Sequence, residues 1–290
     1  MQLTVASGKG GVGKSSITAS LSFLLSQDIN LVSLDADADT PNLEILLKVE
    51  RWEGKKPFEG ERIAVIDPSK CTGCGICAKH CPYECIYPED NHYKVSEILC
   101  EGCNVCSIVC PEKGTINFKP TIPGFVKWGK TSYGFPLVTA ELLPGRPNSG
   151  KLVFEAKKVA RKFNHDLLLI DAAAGIGCSV IASINGSDYV LVVVEPTEVS
   201  LTDAQRLLKI TEHFKVKTFA VINKFNINEE YTKQLEKFFS ERNIKVVGRI
   251  PYDKSAVEAL IKGEPAVKAY PDSPFSNAVK KLTENLKQIF

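Results

Sequence analysis

Between an extended apolar stretch and a helical one, residues 8–15 read Gly-Lys-Gly-Gly-Val-Gly-Lys-Ser. The spacing is that of the phosphate-binding loop: Gly, four residues, then Gly-Lys-Ser or Thr. Glycines let backbone N–H groups converge on phosphate oxygens, and the helix that follows turns its positive N-terminal end toward the same anion. Gly10, Gly11, Val12, Gly13 and Ser16 belong to this cradle. Lys14 is expected to reach the β- and γ-phosphates, and the Ser15 hydroxyl to coordinate Mg²⁺. Such a loop sits between a strand and a helix, and so points to an α/β fold.

The apolar periodicity agrees. Residues 2–7 alternate as an extended segment, and Ile17, Leu21, Leu24 and Leu25 share one helical stripe. Leu31–Leu34 ends at Asp35, Leu167–Ile170 at Asp171, and Tyr189–Val194 at Glu195-Pro196. Residues 218–222 and 244–250 complete the set of strands, the last closed by Pro251; helices are expected at 151–163, 201–214 and 229–239. Continuous apolar strands alternating with helices predict a mainly parallel sheet flanked by helices on both faces. The charged segment 50–62, with Lys55 and Lys56, reads as a solvated connection, and the proline-punctuated segment 119–150 as an irregular return through short strands and turns. A net charge of +2 excludes a nucleic-acid binder acting through bulk charge. No apolar run approaches the ~18 residues of a membrane span, and Met1–Ala6 lacks the features of a signal peptide, so the expected location is cytoplasmic.

Of ten cysteines, nine fall between 71 and 110. In a reducing compartment such a cluster points to metal ligands and not to disulfides. Cys71, Cys74, Cys77 and Cys81-Pro82 give C-x2-C-x2-C-x3-C-P, and Cys100, Cys103, Cys106 and Cys110-Pro111 repeat it. This is the bacterial ferredoxin run, and two copies predict two [4Fe–4S] clusters with crossed ligation. One cluster takes Cys71, Cys74, Cys77 and Cys110; the other takes Cys81, Cys100, Cys103 and Cys106. Zinc sites use CxxC pairs set further apart and do not need the C-x3-C-P tail. The chain thus divides into a nucleotide-binding part at 1–62, an inserted α+β ferredoxin-like module at 63–118, and the rest of the first domain at 119–290. His80, His92, His165 and His213 lack metal-like spacing and read as surface or core residues.

Lys9, the extra lysine inside the loop, matches the signature lysine of the deviant Walker A ATPases. The chain therefore resembles the MinD/ParA-type P-loop NTPases, a family that includes the nitrogenase iron protein. Asp35-Ala36-Asp37 with Asn42-Leu43 resembles that family's first switch, and Asp171-Ala172-Ala173-Ala174-Gly175 its second. Val221-Ile222-Asn223-Lys224 and Gly248-Arg249-Ile250-Pro251 resemble its adenine-side loops. The resemblance covers about 1–50 and 150–290. It implies that Lys9 reaches the partner subunit's nucleotide in an ATP-held homodimer and that Asp37 positions the attacking water. It further implies that Asp35 and Asp171 hold the water shell of Mg²⁺, and that Asn223 and Pro251 sit at the adenine. Asp39 reads either as a Mg²⁺ contact or, preferably, as a solvated loop carboxylate. Segment 67–118 is similar to two-cluster ferredoxins, where a small residue such as Ala usually stands at the position of Cys85; Cys85 is thus expected to be a small core filler. Cys178, seven residues past Asp171, has the spacing of a cluster ligand in the nitrogenase iron protein, but no second cysteine accompanies it, and a buried structural role is expected. The C-terminal stretch Phe275, Ala278, Val279, Leu282, Leu286, Ile289 and Phe290 has helical spacing and is expected to pack on the sheet, a membrane-targeting helix being the alternative.

Taken together, the pattern is similar to MinD-superfamily ATPases with an inserted ferredoxin domain. It predicts Mg²⁺-dependent ATP hydrolysis coupled to electron transfer toward a redox or metalloprotein client. The alternatives are an ATP-dependent carrier or assembly factor for iron–sulfur or other metal cofactors, and a MinD-like positioning ATPase. The carrier reading is weakened because no CxxC follows Cys110, and the positioning reading because positioning needs no redox centre.

Overall fold

The computed structural model describes residues 1–60 and 62–289. Its strands, in chain order, are β1 (Gln2–Ser7), β2 (Leu31–Ala36), β3 (Val49–Phe58), β4 (Arg62–Ile66), β5 (Ile86–Glu89), β6 (His92–Val95), β7 (Ile116–Pro120), β8 (Gly124–Thr131), β9 (Pro136–Leu142), β10 (Leu167–Ala174), β11 (Tyr189–Val194), β12 (Lys217–Asn223) and β13 (Lys245–Ile250). The chain forms two compact units. One comprises residues 1–56, 126–141 and 149 onward; the other comprises 57–125 and 142–148.

The first unit is built on one sheet of order β13-β12-β11-β1-β10-β2-β9-β8-β3. Every neighbour pairing from β13 through β9 is parallel. β1 lies inside the sheet, with Leu3 opposite Leu169 on one side and Tyr189 on the other. Alternate residues enter opposite cores. Leu3 and Val5 join Leu169, Leu191 and Val221, whereas Ala6 joins Val190, Val192 and Ile222. Helices Lys14–Leu25 and Pro274–Lys287 contribute to the first core through Ile17, Leu21, Leu25, Phe275, Val279, Leu282 and Leu286. Helices Cys178–Ile184, Glu198–His213 and Glu229–Ser240 contribute to the second through Val180, Ile184, Leu207, Leu235 and Phe239. Because helices cover both faces, a strand such as Tyr189–Val194 is apolar throughout and does not alternate with polar residues. Each fully buried Leu, Val or Ile contributes ~1.5–3 kcal/mol to this packing. The expected C-terminal helix packs on the sheet as described; Phe290 lies outside the described residues.

Residues 50–62 depart from expectation. Val49–Phe58 is a strand at the edge of the main sheet, not an irregular connection. An edge strand has one open side, so its outward positions carry Glu50, Arg51, Glu53, Lys55 and Lys56, and charge on an open edge opposes pairing with further strands. Trp52 packs toward the core. Gly54 lies beneath Trp128, where a Cβ would fall 2.1 Å from the indole ring. Segment 119–150 likewise contributes full strands: β9 lies beside β2, with Ser33 opposite Leu137.

In the second unit β4 and β7 pair antiparallel, Ile66 opposite Ile116, and β5 and β6 form a hairpin, Ile86 opposite Val95. A small core gathers Ala64, Ile66, Cys77, Cys85, Ile86, Val95, Cys106 and Ile116. The 29-residue offset from Cys71 to Cys100 recurs in the backbone. Gly73 and Gly102 both take left-handed φ values, 68° and 65°, as do Gly75 and Asn104, 72° and 69°. Gly75 caps the short helix Ile76–Lys79 and Asn104 the short helix Val105–Val109. Gly102 has no room for a side chain, since a Cβ would meet the Arg62 carbonyl oxygen at 2.1 Å.

Candidate functional site

The loop between β1 and helix Lys14–Leu25 borders a cavity of about 390 Å³. Lys9, Gly10, Gly11, Gly13, Lys14, Ser15 and Ser16 line it on the loop side, and Asp37 and Asn42 across from them; Ile45, Leu46 and Leu260 supply an apolar wall. Gly13 is required twice over. Its φ is +89°, and a Cβ there would stand 2.3 Å from Asn223 Nδ2.

Lys14 is buried and its Nζ lies 2.9 Å from Asp171 Oδ1 and 3.3 Å from Ser15 Oγ. Thr18 Oγ1 donates to the same Asp171 oxygen at 2.8 Å. Parallel pairing sets Asp171 directly opposite Asp35 on β2. Burial and the Asp171 charge push the Asp35 carboxyl up to about 7, against three N–H donors and Lys14. Those donors are the backbone of Asp37 (3.1 Å), Asn42 (3.0 Å) and Leu43 (2.8 Å), so Asp35 ties the following loop to the end of β2. Asp37 reaches the cavity, accepts from Thr40 Oγ1 at 3.3 Å, and is raised by burial. Asp39 is exposed, a solvated loop carboxylate.

Of the two residues expected at the adenine, Asn223 falls behind the loop. Asn223 is buried, and its Nδ2 donates to the Val12 carbonyl at 2.7 Å while its Oδ1 has no partner among the described residues. Pro251 follows β13, and the next residue, Tyr252, donates its N–H to Asn226 Oδ1 at 2.7 Å.

Sequence reasoning gave Glu195 no role. It receives Lys9 Nζ at 2.6 Å and Lys224 Nζ at 2.8 Å, and Lys224 also donates to the Gly11 carbonyl at 2.9 Å. Burial would raise the Glu195 carboxyl, yet hydrogen bonds from Lys224 and Lys9 hold it below the ordinary range. The available signal was its place at the carboxyl end of β11, the edge at which open α/β sheets build their sites.

In the second unit the cysteines divide between two small enclosures. Cys71, Cys74, Cys77 and Cys110 line one, with Tyr93 and Ile116. Cys81, Cys100, Cys103 and Cys106 line the other, joined by Cys85. Burial raises the Cys77 thiol and pushes Cys106 up to about 11. Burial also opposes ionisation of Cys81, but backbone N–H donors at Cys85, Tyr83 and Glu84 bring it below the ordinary value. Among the described residues no three His, Cys, Asp or Glu side chains converge as a single metal ion requires. Cys178 corrects an expectation: it is exposed, not buried, because it opens helix Cys178–Ile184 and that helix buries Ser179, Val180, Ser183 and Ile184 instead.

The family model for the CobQ/CobB/MinD/ParA nucleotide binding domain matches residues 3–266. An uncharacterised protein of Methanocaldococcus jannaschii is 34% identical over 99% of this chain and 97% of its own length. An iron–sulfur cluster carrier protein of Pyrococcus abyssi is 25% identical, over 98% of this chain and 85% of its own. Among solved structures, the septum site-determining protein MinD complexed with Mg-ADP from Pyrococcus horikoshii superposes with a TM-score of 0.60 at 19% identity, covering 99% of this chain and 96% of that one.

Proposed function

This chain belongs to the CobQ/CobB/MinD/ParA nucleotide-binding domain family, and on that premise we propose that it hydrolyses ATP to govern electron transfer through two iron–sulfur clusters held by its cysteine-rich unit. The observation that carries the reading is the division of the cysteines. Each enclosure receives three thiols of one run and the fourth of the other. That set of four soft donors in a largely apolar enclosure fits a [4Fe–4S] group, whose positive iron would offset the cost of ionising buried thiols. When bound, the two clusters supply one-electron centres.

In the nucleotide site the loop amides and Lys14 would take the phosphates, and the Ser15 hydroxyl would hold Mg²⁺. Lys14 and Thr18 orient Asp171, which with Asp35 is assigned to the Mg²⁺ water shell. Asp37, at the cavity wall, orients the attacking water, the positioning and charge compensation on which phosphoryl transfer depends. Asn223 supports the loop from behind, and Pro251 follows on the adenine side. Lys9 exchanges Glu195 for the nucleotide of a second subunit, so ATP holds a homodimer that meets a redox or metalloprotein client.

The test is an anaerobic preparation assayed for iron and titrated potentiometrically with and without ATP. About eight irons per chain and midpoints that move with nucleotide are expected. Iron far below that number, or midpoints blind to ATP, would overturn the reading. A carrier role is the second reading, favoured by the Pyrococcus abyssi relative; it predicts ATP-dependent transfer of iron to an apo-acceptor, with the donor's own iron count falling in step.

A further inference from the structure

Cys85 is 3% exposed and sits in the wall of the enclosure that holds Cys81, Cys100, Cys103 and Cys106, beside Ile86, Val95 and Phe118. Its Sγ lies 3.4 Å from Cys81 Sγ, within reach of a sulfur hydrogen bond. The other enclosure has no such neighbour. The second run is one residue longer before its strand: Gly114 (φ +79°) stands where Glu84 (φ +49°) does, and Thr115, buried in the wall of the other enclosure, stands where Cys85 does and donates its hydroxyl to the Lys70 carbonyl at 3.4 Å. A fifth thiol is therefore built into one site, and a threonine whose hydroxyl is engaged elsewhere takes its place in the other.

From this asymmetry we propose that Cys85 donates its S–H to the Cys81 sulfur and makes the two cluster sites electronically inequivalent. The inference rests on the cluster reading given above. A thiolate bound to iron is an acceptor, so the proton stays on Cys85 and the bond runs from Cys85 to Cys81. Donation to a ligand sulfur offsets negative charge. It favours the reduced state, which carries one more electron, and raises that centre's potential. A small core filler would do none of this, since Ala would fill the same place.

The experiment is a potentiometric titration of anaerobic protein followed by electron paramagnetic resonance, on the unaltered chain, Cys85→Ala and Cys85→Ser, with iron counted in each. The expected result is two resolved midpoints in the unaltered chain. In Cys85→Ala one of them moves negative while its partner holds. Cys85→Ser, which keeps a donor, retains most of the original separation. Full iron in Cys85→Ala with both midpoints unmoved overturns the inference alone. Loss of about half the iron in that variant would make Cys85 a ligand, and also overturns the donor role. Unaltered protein that never holds two clusters defeats the cluster reading itself, and the inference with it.

Discussion

If Lys9 serves the nucleotide of a second subunit, it must first leave Glu195, and Glu195→Gln should make dimerisation easier. The Lys9–Glu195 pair spans 2.6 Å, with side chains 29% and 13% exposed. At that separation the Coulomb attraction is ~6 kcal/mol for an effective dielectric of about 20 and ~1.6 kcal/mol in water. Rehydration of both groups and the freed lysine rotamers return most of it, which leaves about 1 kcal/mol net per pair. A symmetric dimer breaks two pairs, so the substitution should tighten ATP-dependent association by about 2 kcal/mol, roughly 30-fold in Kd. Sedimentation equilibrium with a non-hydrolysable ATP analogue measures this directly. Lys224→Met is the control. It removes the other cation from Glu195, leaves Lys9 bound to it, and should not promote the dimer. Association equal in Glu195→Gln and the unaltered chain, or promoted equally by Lys224→Met, would refute the view of Glu195 as the residue that restrains Lys9.

Two further perturbations probe the scaffold beneath the site. In EDTA, the Asp35 contribution to unfolding free energy should fall as pH rises from about 4 through 7, because folded Asp35 keeps a proton to about 7 that the unfolded chain releases near 3.8; denaturant melts should show the unaltered chain losing stability relative to Asp35→Asn across that window. Lys157 is buried and donates to the carbonyls of Ala182 (3.1 Å), Ser183 (2.8 Å) and Asn185 (2.7 Å), which close helix Cys178–Ile184. Lys157→Met orphans those acceptors and should cost ~3 kcal/mol in a chemical denaturation experiment.

What could be read in advance divides along a physical line. The strand-to-helix phosphate loop and the buried strands were legible because backbone conformation and apolar period are local properties of the sequence. The two cysteine runs are local in the same sense, each being a loop of fixed spacing. Val49–Phe58 was misread because an edge strand shows its charged side to solvent, and its Glu, Lys and Gly residues look like a loop until Trp128 is found lying across Gly54. Cys178 was misread because burial depends on which face of a helix turns inward, and seven helical residues are too few to declare a face. Glu195, Thr18 and Lys224 were not assigned because their partners stand 186, 153 and 29 residues away, as 195 − 9, 171 − 18 and 224 − 195 give. Such pairings follow from strand order, which sets the ends of β10 and β11 on either side of β1. The same reasoning separates Cys85 from its neighbours. Spacing alone gives it no function; a fifth thiol in the wall of one enclosure, where Thr115 stands in the other, turns a filler position into a difference between two otherwise matched groups of four cysteines.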